Sequence, residues 1–233
     1  MSHWKILDTG VRTAQENMRL DSEMFSSLED QCILHFYDWS GPSATYGYFV
    51  DPAAFLQMEE ARARGLQLAR RPTGGGVVFH IWDIAFSVLV PSSSPHFSQN
   101  TLENYRFVNE AVQRAAEEFL GRKNLQLTPT DALALDSAAT RFCMARPTKY
   151  DLVWEGRKIA GAAQRQGKKG FLHQGTIALQ MPPDEYLEAL LLPGTRVLEG
   201  MKAHTFPLLP DDMTLEEGRQ IFRQLLQKYL IGS

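Results

Sequence analysis

Arg70-Arg71-Pro72-Thr73-Gly74-Gly75-Gly76-Val77-Val78-Phe79-His80 joins two arginines, three consecutive glycines and a β-branched run that ends in histidine. Glycine lacks a Cβ, so a triplet lets the backbone adopt positive φ and pass close to a ligand, with N–H groups free to surround an anion. The two guanidinium forks just upstream suit the same anion. Val77, Val78 and Phe79 favour a strand, which would fix one end of the loop on a sheet. Two common nucleotide loops are excluded. No Lys-Ser/Thr pair follows at the offset a Walker loop requires, and no helical pattern opens behind the glycines, as a dinucleotide-binding turn demands. Taken alone, the triplet is also compatible with an ordinary hairpin turn.

Further along, Tyr150-Asp151-Leu152-Val153-Trp154 alternates, Glu155-Gly156 makes a two-residue turn, and Arg157-Lys158-Ile159-Ala160-Gly161 returns. Lys158 therefore sits inside a strand. It is either a solvated edge lysine or a group facing the space that Gly161, Ala162 and Ala163 leave open. A helix is predicted from Thr13 to Ser26, with Thr13 and Glu16 at capping-box spacing. Strands are expected at 32–38 and 45–49, and a helix from Pro52 to Arg64 with Gly65 as its exit. A strand at 66–69 enters the glycine loop, and another at 84–90 pairs behind it. Tyr105 to Leu120 reads as an amphipathic helix ended by Gly121, and helices are also expected at Asp184–Leu192 and Thr214–Leu230. Strands before, between and after helices, with hairpins among them, argue for an α+β fold over a doubly wound sheet.

The chain has 233 residues, 44% of them hydrophobic and 22% charged, and a net charge of −3. It is long enough for a substantial core, and no bulk attraction to nucleic acid or membrane is expected. No apolar run approaches the ~20 residues of a spanning helix, and Met1-Ser2-His3-Trp4-Lys5 does not read as an export signal, so a cytoplasmic protein is expected. Two cysteines imply no disulfide framework. Cys32 lies in an apolar run and reads as core. Cys143 lies in the polar loop Arg141-Phe142-Cys143-Met144-Ala145-Arg146-Pro147-Thr148, where Arg141, Arg146 and Lys149 provide the cationic setting that favours a thiolate. No protein metal site is assigned. Arg165, Lys168 and Lys169 form either a solvated turn or a docking patch for an acidic partner beside the site.

Taken together, the Arg70–His80 loop, Lys158-Ile159-Ala160-Gly161-Ala162-Ala163-Gln164 and His173-Gln174-Gly175-Thr176 resemble the active-site signature of the biotin/lipoate protein ligase superfamily, in its lipoate-protein ligase and octanoyltransferase branch. Asn17-Met18-Arg19-Leu20-Asp21 is similar to that family's Asn-Met-x-x-Asp start, so the resemblance runs from near Gly10 to near Gly200. It implies a mixed, mostly antiparallel β-sheet flanked by helices. It also implies an enzyme of protein lipoylation, with residues 1–233 as a single catalytic domain; in one departure from many lipoate ligases only a terminal helix follows Pro210, so a separate C-terminal accessory domain is expected to be absent or on another chain. In the ligase form so implied, ATP and Mg²⁺ convert lipoate or octanoate into an acyl-adenylate. A lysine of a lipoyl carrier domain then attacks, the carrier being a 2-oxoacid dehydrogenase E2 subunit or the glycine cleavage H protein. Lys158 would contact the acyl carbonyl and α-phosphate. Arg71, Gly75, Gly76, Val77, Val78 and Phe79 would form the phosphate-facing cradle, with His80 orienting the loop and Gly161 and Ala163 bordering the ligand.

The alternative form is an octanoyltransferase that takes its acyl group from acyl-carrier protein through a thioester on Cys143. That type carries Cys-Phe-x-x-Pro-Ser/Thr-x-Tyr-x-Leu-Val; this chain keeps Cys143, Pro147, Thr148, Tyr150, Leu152 and Val153, with Met144 in place of phenylalanine. The glycine triplet resembles the ligase form, since the transferase form usually has arginine at the third glycine. The Cys143 loop and the missing accessory domain point to the transferase. The ligase is the leading expectation, and a non-catalytic lipoate-binding or carrier-binding module is the third.

Overall fold

Capping and turn chemistry place most of the elements. Thr13 Oγ1 accepts the N–H of Glu16 while the Glu16 carboxylate accepts the N–H of Thr13, so α1 (Ala14–Ser26) starts where the capping box predicts. Asn100 caps α3 (Thr101–Leu120), and Gly121 ends it at φ 61°, in the left-handed region. A second capping box, Thr214 with Glu217, opens α6 (Leu215–Ile231). The remaining elements are β1 (Trp4–Arg12), β2 (Cys32–Trp39), β3 (Ser43–Tyr46), α2 (Met58–Ala63), β4 (Gln67–Arg70), β5 (Val77–His80), β6 (Asp83–Pro91), β7 (Gln126–Leu127), β8 (Leu152–Trp154), β9 (Arg157–Gly167), β10 (Gly170–Ala178), α4 (Asp184–Leu190) and α5 (Val197–His204). The computed structural model describes residues 4–80 and 82–232; residues 1–3, which belong to the opening read as no export signal, lie outside the described residues.

The larger sheet runs β1-β2-β6-β10-β9-β8-β7, with β1 parallel to β2 and every other pair antiparallel. The smaller runs β4-β3-β5, parallel then antiparallel. The fold is thus α+β with a mixed, mostly antiparallel sheet flanked by helices. One core lies between the large sheet and α3 and α6, built on Phe86, Val88, Val108, Phe171 and Phe222; a second surrounds the small sheet, with Val77, Phe79, Phe142 and Leu187. Fully burying a side chain of this size stabilises by about 1.5–3 kcal/mol.

Several local expectations are corrected. The strand at 84–90 does not pair behind the glycine loop: β5 joins the small sheet, while β6, buried along its whole length, takes a central place between β2 and β10. A continuous apolar run suits a strand covered on both faces. Pro52 to Arg64 is not one helix but a 3₁₀ turn, Pro52–Ala54, followed by α2; between them Leu56 is buried and bridges to Leu191. Tyr150 sits at φ 68°, so β8 begins only at Leu152. Neither β1 nor α5 was anticipated. Among the described residues no helix is long and apolar enough to cross a membrane.

Candidate active site

The hairpin that delivers Lys158 turns at Glu155 (φ 49°) and Gly156 (φ 76°), two consecutive left-handed residues of the kind that match strand twist. Lys158 is not a solvated edge lysine, for only 2% of it is exposed. Its Nζ lies 2.6 Å from Asp151 Oδ2 and donates to the carbonyl oxygen of Cys143 at 2.6 Å. Asp151 Oδ2 accepts two more hydrogen bonds, from the Thr148 N–H at 2.6 Å and Thr148 Oγ1 at 2.7 Å. A buried charge survives only when paired and hydrogen-bonded, and both conditions hold here. The space left by Gly161 is taken by Lys158 itself: a Cβ on Gly161 would lie 2.4 Å from Lys158 Cε and 2.5 Å from Nζ.

The glycine loop is held just as firmly. Gly75 has φ +86°, and a Cβ there would lie 3.1 Å from Arg71 Nη2 and 3.7 Å from Cys143 Sγ. Gly76 rests on the backbone of Arg141, with only 2.0 Å between a hypothetical Cβ and the Arg141 oxygen. Arg71 is buried and lines the space beside Cys143. It donates to the carbonyls of Gly74 (2.9 Å) and Gly76 (2.8 Å) and to Thr45 Oγ1 (2.9 Å). Burial pulls the guanidinium below the usual arginine range, and the Cys143 sulfur, as counter-charge and hydrogen-bond partner, opposes that pull. His80 continues the brace, bonding Thr45 at 2.8 Å and Asp83 at 2.6 Å while stacking on Trp39 at 4.2 Å. It thus orients the loop through Thr45 and Arg71. Val77 and Phe79 point into the second core, so of the expected cradle Arg71, Gly75, Gly76, Val78 and His80 line the spaces around Cys143. With the Gly74 and Gly76 carbonyls tied to Arg71, the N–H groups of Gly74, Gly75 and Gly76 find no acceptor among the described residues.

Cys143 stands where two spaces meet. On one side is a small, mainly apolar chamber of about 30 Å³ lined by Met18, Tyr37, Trp39, Val78, Ala163 and Gly175. On the other is a polar cleft of about 320 Å³ with Gly74–Gly76, Arg141, Arg146, Thr148 and Lys158 in its walls. Gly161 lines the first space, Lys158 the second, Ala162 and Cys143 both. Across the chamber, a polar chain supports the loop from α1: Thr73 Oγ1 donates to Gln174 Oε1 at 2.7 Å, Gln174 Nε2 to Asp21 at 2.6 Å, and Asp21 holds His35 Nδ1 at 2.8 Å.

Two other predicted groups lie elsewhere. His173 is fully buried between Phe86 and Tyr105, and burial alone pulls it down to about 3, which keeps it neutral. The basic turn does not border the site. Arg165 covers the Phe25 ring and Lys169 donates to the Ser26 carbonyl, so the turn seals the end of α1; Lys168 stands ~16 Å of strand beyond Ala163. Sequence reasoning missed Asp151, Thr45 and Asp83 as parts of the site. Among the described residues no cluster of His, Cys, Asp and Glu is arranged to hold a metal.

Comparison with known proteins gives the following. The chain matches the lipoyl protein ligase A/B catalytic domain over residues 13–203. It is 30% identical to the octanoyltransferase LipM of Halalkalibacterium halodurans, over 99% of this chain and 88% of that protein. With octanoyltransferase LipM of Kyrpidia tusciae the identity is 32%, over 87% and 75% respectively. The fold is shared with a bi-partite lipoate protein ligase, solved as part of an archaeal lipoylation system with its E2 lipoyl domain from Thermoplasma acidophilum. The TM-score is 0.72 at 22% identity, covering 99% of this chain and 84% of that one.

Proposed function

The chain belongs to the lipoyl protein ligase A/B catalytic domain family and is an enzyme of protein lipoylation; from that premise we propose that it moves an octanoyl group from acyl-carrier protein to a lysine of a lipoyl carrier domain through a thioester on Cys143. The observation that carries this reading is the position of Cys143 at the junction of an apolar chamber and a polar cleft, with its own carbonyl held by Lys158. The names of the curated relatives support it. The ligase expectation rested on the glycine triplet. Close packing already accounts for that triplet, Gly76 against the Arg141 backbone and Gly75 beside Cys143, so it no longer favours a nucleotide.

In the first step the Cys143 thiolate attacks the donor thioester carbonyl. A new sulfur–acyl bond forms, the donor thiolate leaves, and the proton given up by Cys143 passes to it. In the second, the carrier lysine's neutral amine attacks the Cys143 thioester. An amide forms, Cys143 departs as thiolate, and the amine's proton goes to it. Splitting the transfer makes each step easier. Both steps pass through an oxyanion, whose stabilisation we assign to the Lys158 ammonium and the unpaired N–H groups of the glycine loop. Arg71 supplies positive charge beside the sulfur. Each methylene of an octanoyl tail buried against the chamber walls gains roughly 0.8 kcal/mol, which helps hold the acyl group during the exchange of partners.

A second reading has one specific support. Arg141, Arg146 and the loop N–H groups in the polar cleft fit the phosphates of a nucleotide, which when bound would activate a free acid as its adenylate. Comparing octanoyl-acyl-carrier protein without nucleotide against octanoate with ATP and Mg²⁺, each with a lipoyl carrier domain, separates the two. Transfer from the thioester donor alone is expected; transfer only from free acid with ATP would overturn the proposal in favour of the ligase.

A further inference from the structure

The turn after β3 holds two aromatic rings out in solvent. Phe49 is 92% exposed and Tyr48 54%. The rings meet edge to face at 5.1 Å, and the Arg70 guanidinium lies over Tyr48 at 5.6 Å. Their backbone is fixed. Gly47 presses on the glycine loop so closely that a Cβ there would lie 2.0 Å from the Gly75 oxygen, and the Tyr48 N–H donates to the Thr73 carbonyl at 3.1 Å. Phe49 and Val50 form the rim of the polar cleft that contains Cys143 and Lys158. A rigid aromatic pair contributing nothing to the core, set at the mouth of a reactive cleft, has the make-up of an interface anchor.

The charge around the mouth is positive. Arg141 and Arg146 line the cleft and Arg70 flanks the rings; among the nearby carboxylates Asp151 is paired with Lys158, while Asp131 and Asp51 accept backbone N–H groups, keep their charge and do not line the cleft. The partner's reach selects its identity. A lysine delivers its amine on a four-carbon stem, so the acceptor's surface must press against the mouth to bring the amine to Cys143. A donor whose acyl group travels on a long prosthetic arm is under no such constraint.

Resting on the acyl transfer proposed above, we propose that Tyr48-Phe49 is the docking anchor for the acceptor, an acidic carrier domain whose surface presses its target lysine into the mouth of the cleft. The test uses the two half-reactions of the full chain. Acylation of wild-type Cys143 by octanoyl-acyl-carrier protein is measured first; its absence would overturn the underlying reading, and with it this one. Purified acyl-enzyme is then mixed with a recombinant lipoyl carrier domain. Phe49→Ala and Tyr48→Ala are expected to raise the KM for the carrier roughly tenfold or more, with kcat for transfer within about twofold of wild type. The loss in transfer should exceed any loss in self-acylation by the same factor. Arg70→Glu should raise the carrier KM in the same direction. Phe49 is almost wholly exposed, so a fall in melting temperature is not expected to confuse the result. An unchanged carrier KM in the double variant would overturn the inference. So would equal losses in both half-reactions, which would put the donor's body on the rings instead.

Discussion

Replacing Gly161 by alanine sets the fold's stability against the site's geometry. The added Cβ would lie 2.4 Å from Lys158 Cε and 2.5 Å from its Nζ. Carbon contacts relax to about 3.5–4.0 Å, so the end of the lysine must retreat by about 1 Å. Its two bonds, to Asp151 and to the Cys143 carbonyl, are both 2.6 Å long, and such a retreat carries at least one beyond hydrogen-bonding range. A hydrogen bond to a charged group contributes about 1.5–3 kcal/mol, and a flexible side chain recovers part of it by rotating, so a net loss of about 2 kcal/mol is expected. For a chain of this length that lowers Tm by roughly 4–8 °C. The effect on rate is larger, because removing one positioned donor at a developing oxyanion costs about 10²–10³ in kcat. Thermal melts and octanoylation of a carrier domain measure the two quantities separately. In a Lys158→Ala background, Gly161→Ala should cost little more, since no lysine terminus remains to be displaced. Wild-type turnover in Gly161→Ala, or a full additional loss in that background, would refute the reasoning.

Gly76→Ala puts a Cβ 2.0 Å from the Arg141 oxygen and 2.5 Å from its carbonyl carbon. Both are backbone atoms that no rotamer moves, so the Cys143 loop must part from β5. Transfer should be lost together with about 3 kcal/mol of stability in urea, and a variant with wild-type stability would count against the packing described. Thr45→Val strips an acceptor from Arg71 and a partner from buried His80 and should cost about 1–3 kcal/mol. A denaturation midpoint equal to wild type would show that the brace is not needed. His173 is held at about 3, below the 6.5 usual for histidine. Between those values the unfolded chain binds a proton that the folded chain does not, so stability falls as pH drops, by about 2 kcal/mol between pH 7 and pH 5 from this residue. Urea titrations of His173→Gln should lack that part of the slope, and identical slopes in the two proteins would contradict it.

What was legible in the sequence was local. The capping boxes at Thr13 and Thr214, the left-handed exit at Gly121 and the Glu155-Gly156 turn each depend on a few adjacent residues, and each stands where it was expected. The sheet class followed from the order of strands and helices. What escaped depends on contacts between distant segments. Nothing near Ile84 in the chain tells β6 to pair with β2 and β10 instead of β5. Arg71 was read as a ligand donor because a guanidinium suits an anion; that its donors turn to Thr45 and the loop carbonyls becomes visible only once β3 lies alongside. Asp151 carried a faint signal, a carboxylate at the start of a hairpin opposite a lysine, yet its pairing with Lys158 needs the register shift between Leu152 and Val153. Cys143 was singled out by its cationic loop. Its place between chamber and cleft required the tertiary fold.

The central claim is that Cys143 carries the acyl group. Wild-type protein incubated with octanoyl-acyl-carrier protein, without ATP, and then quenched in acid should yield by mass spectrometry an octanoyl adduct on the Cys143 peptide. That adduct should be released by neutral hydroxylamine and chased onto an added lipoyl carrier domain. Cys143→Ser should give no such thiol-linked adduct and no transfer. A Cys143→Ser protein that still lipoylates or octanoylates the carrier at the wild-type rate would contradict the account.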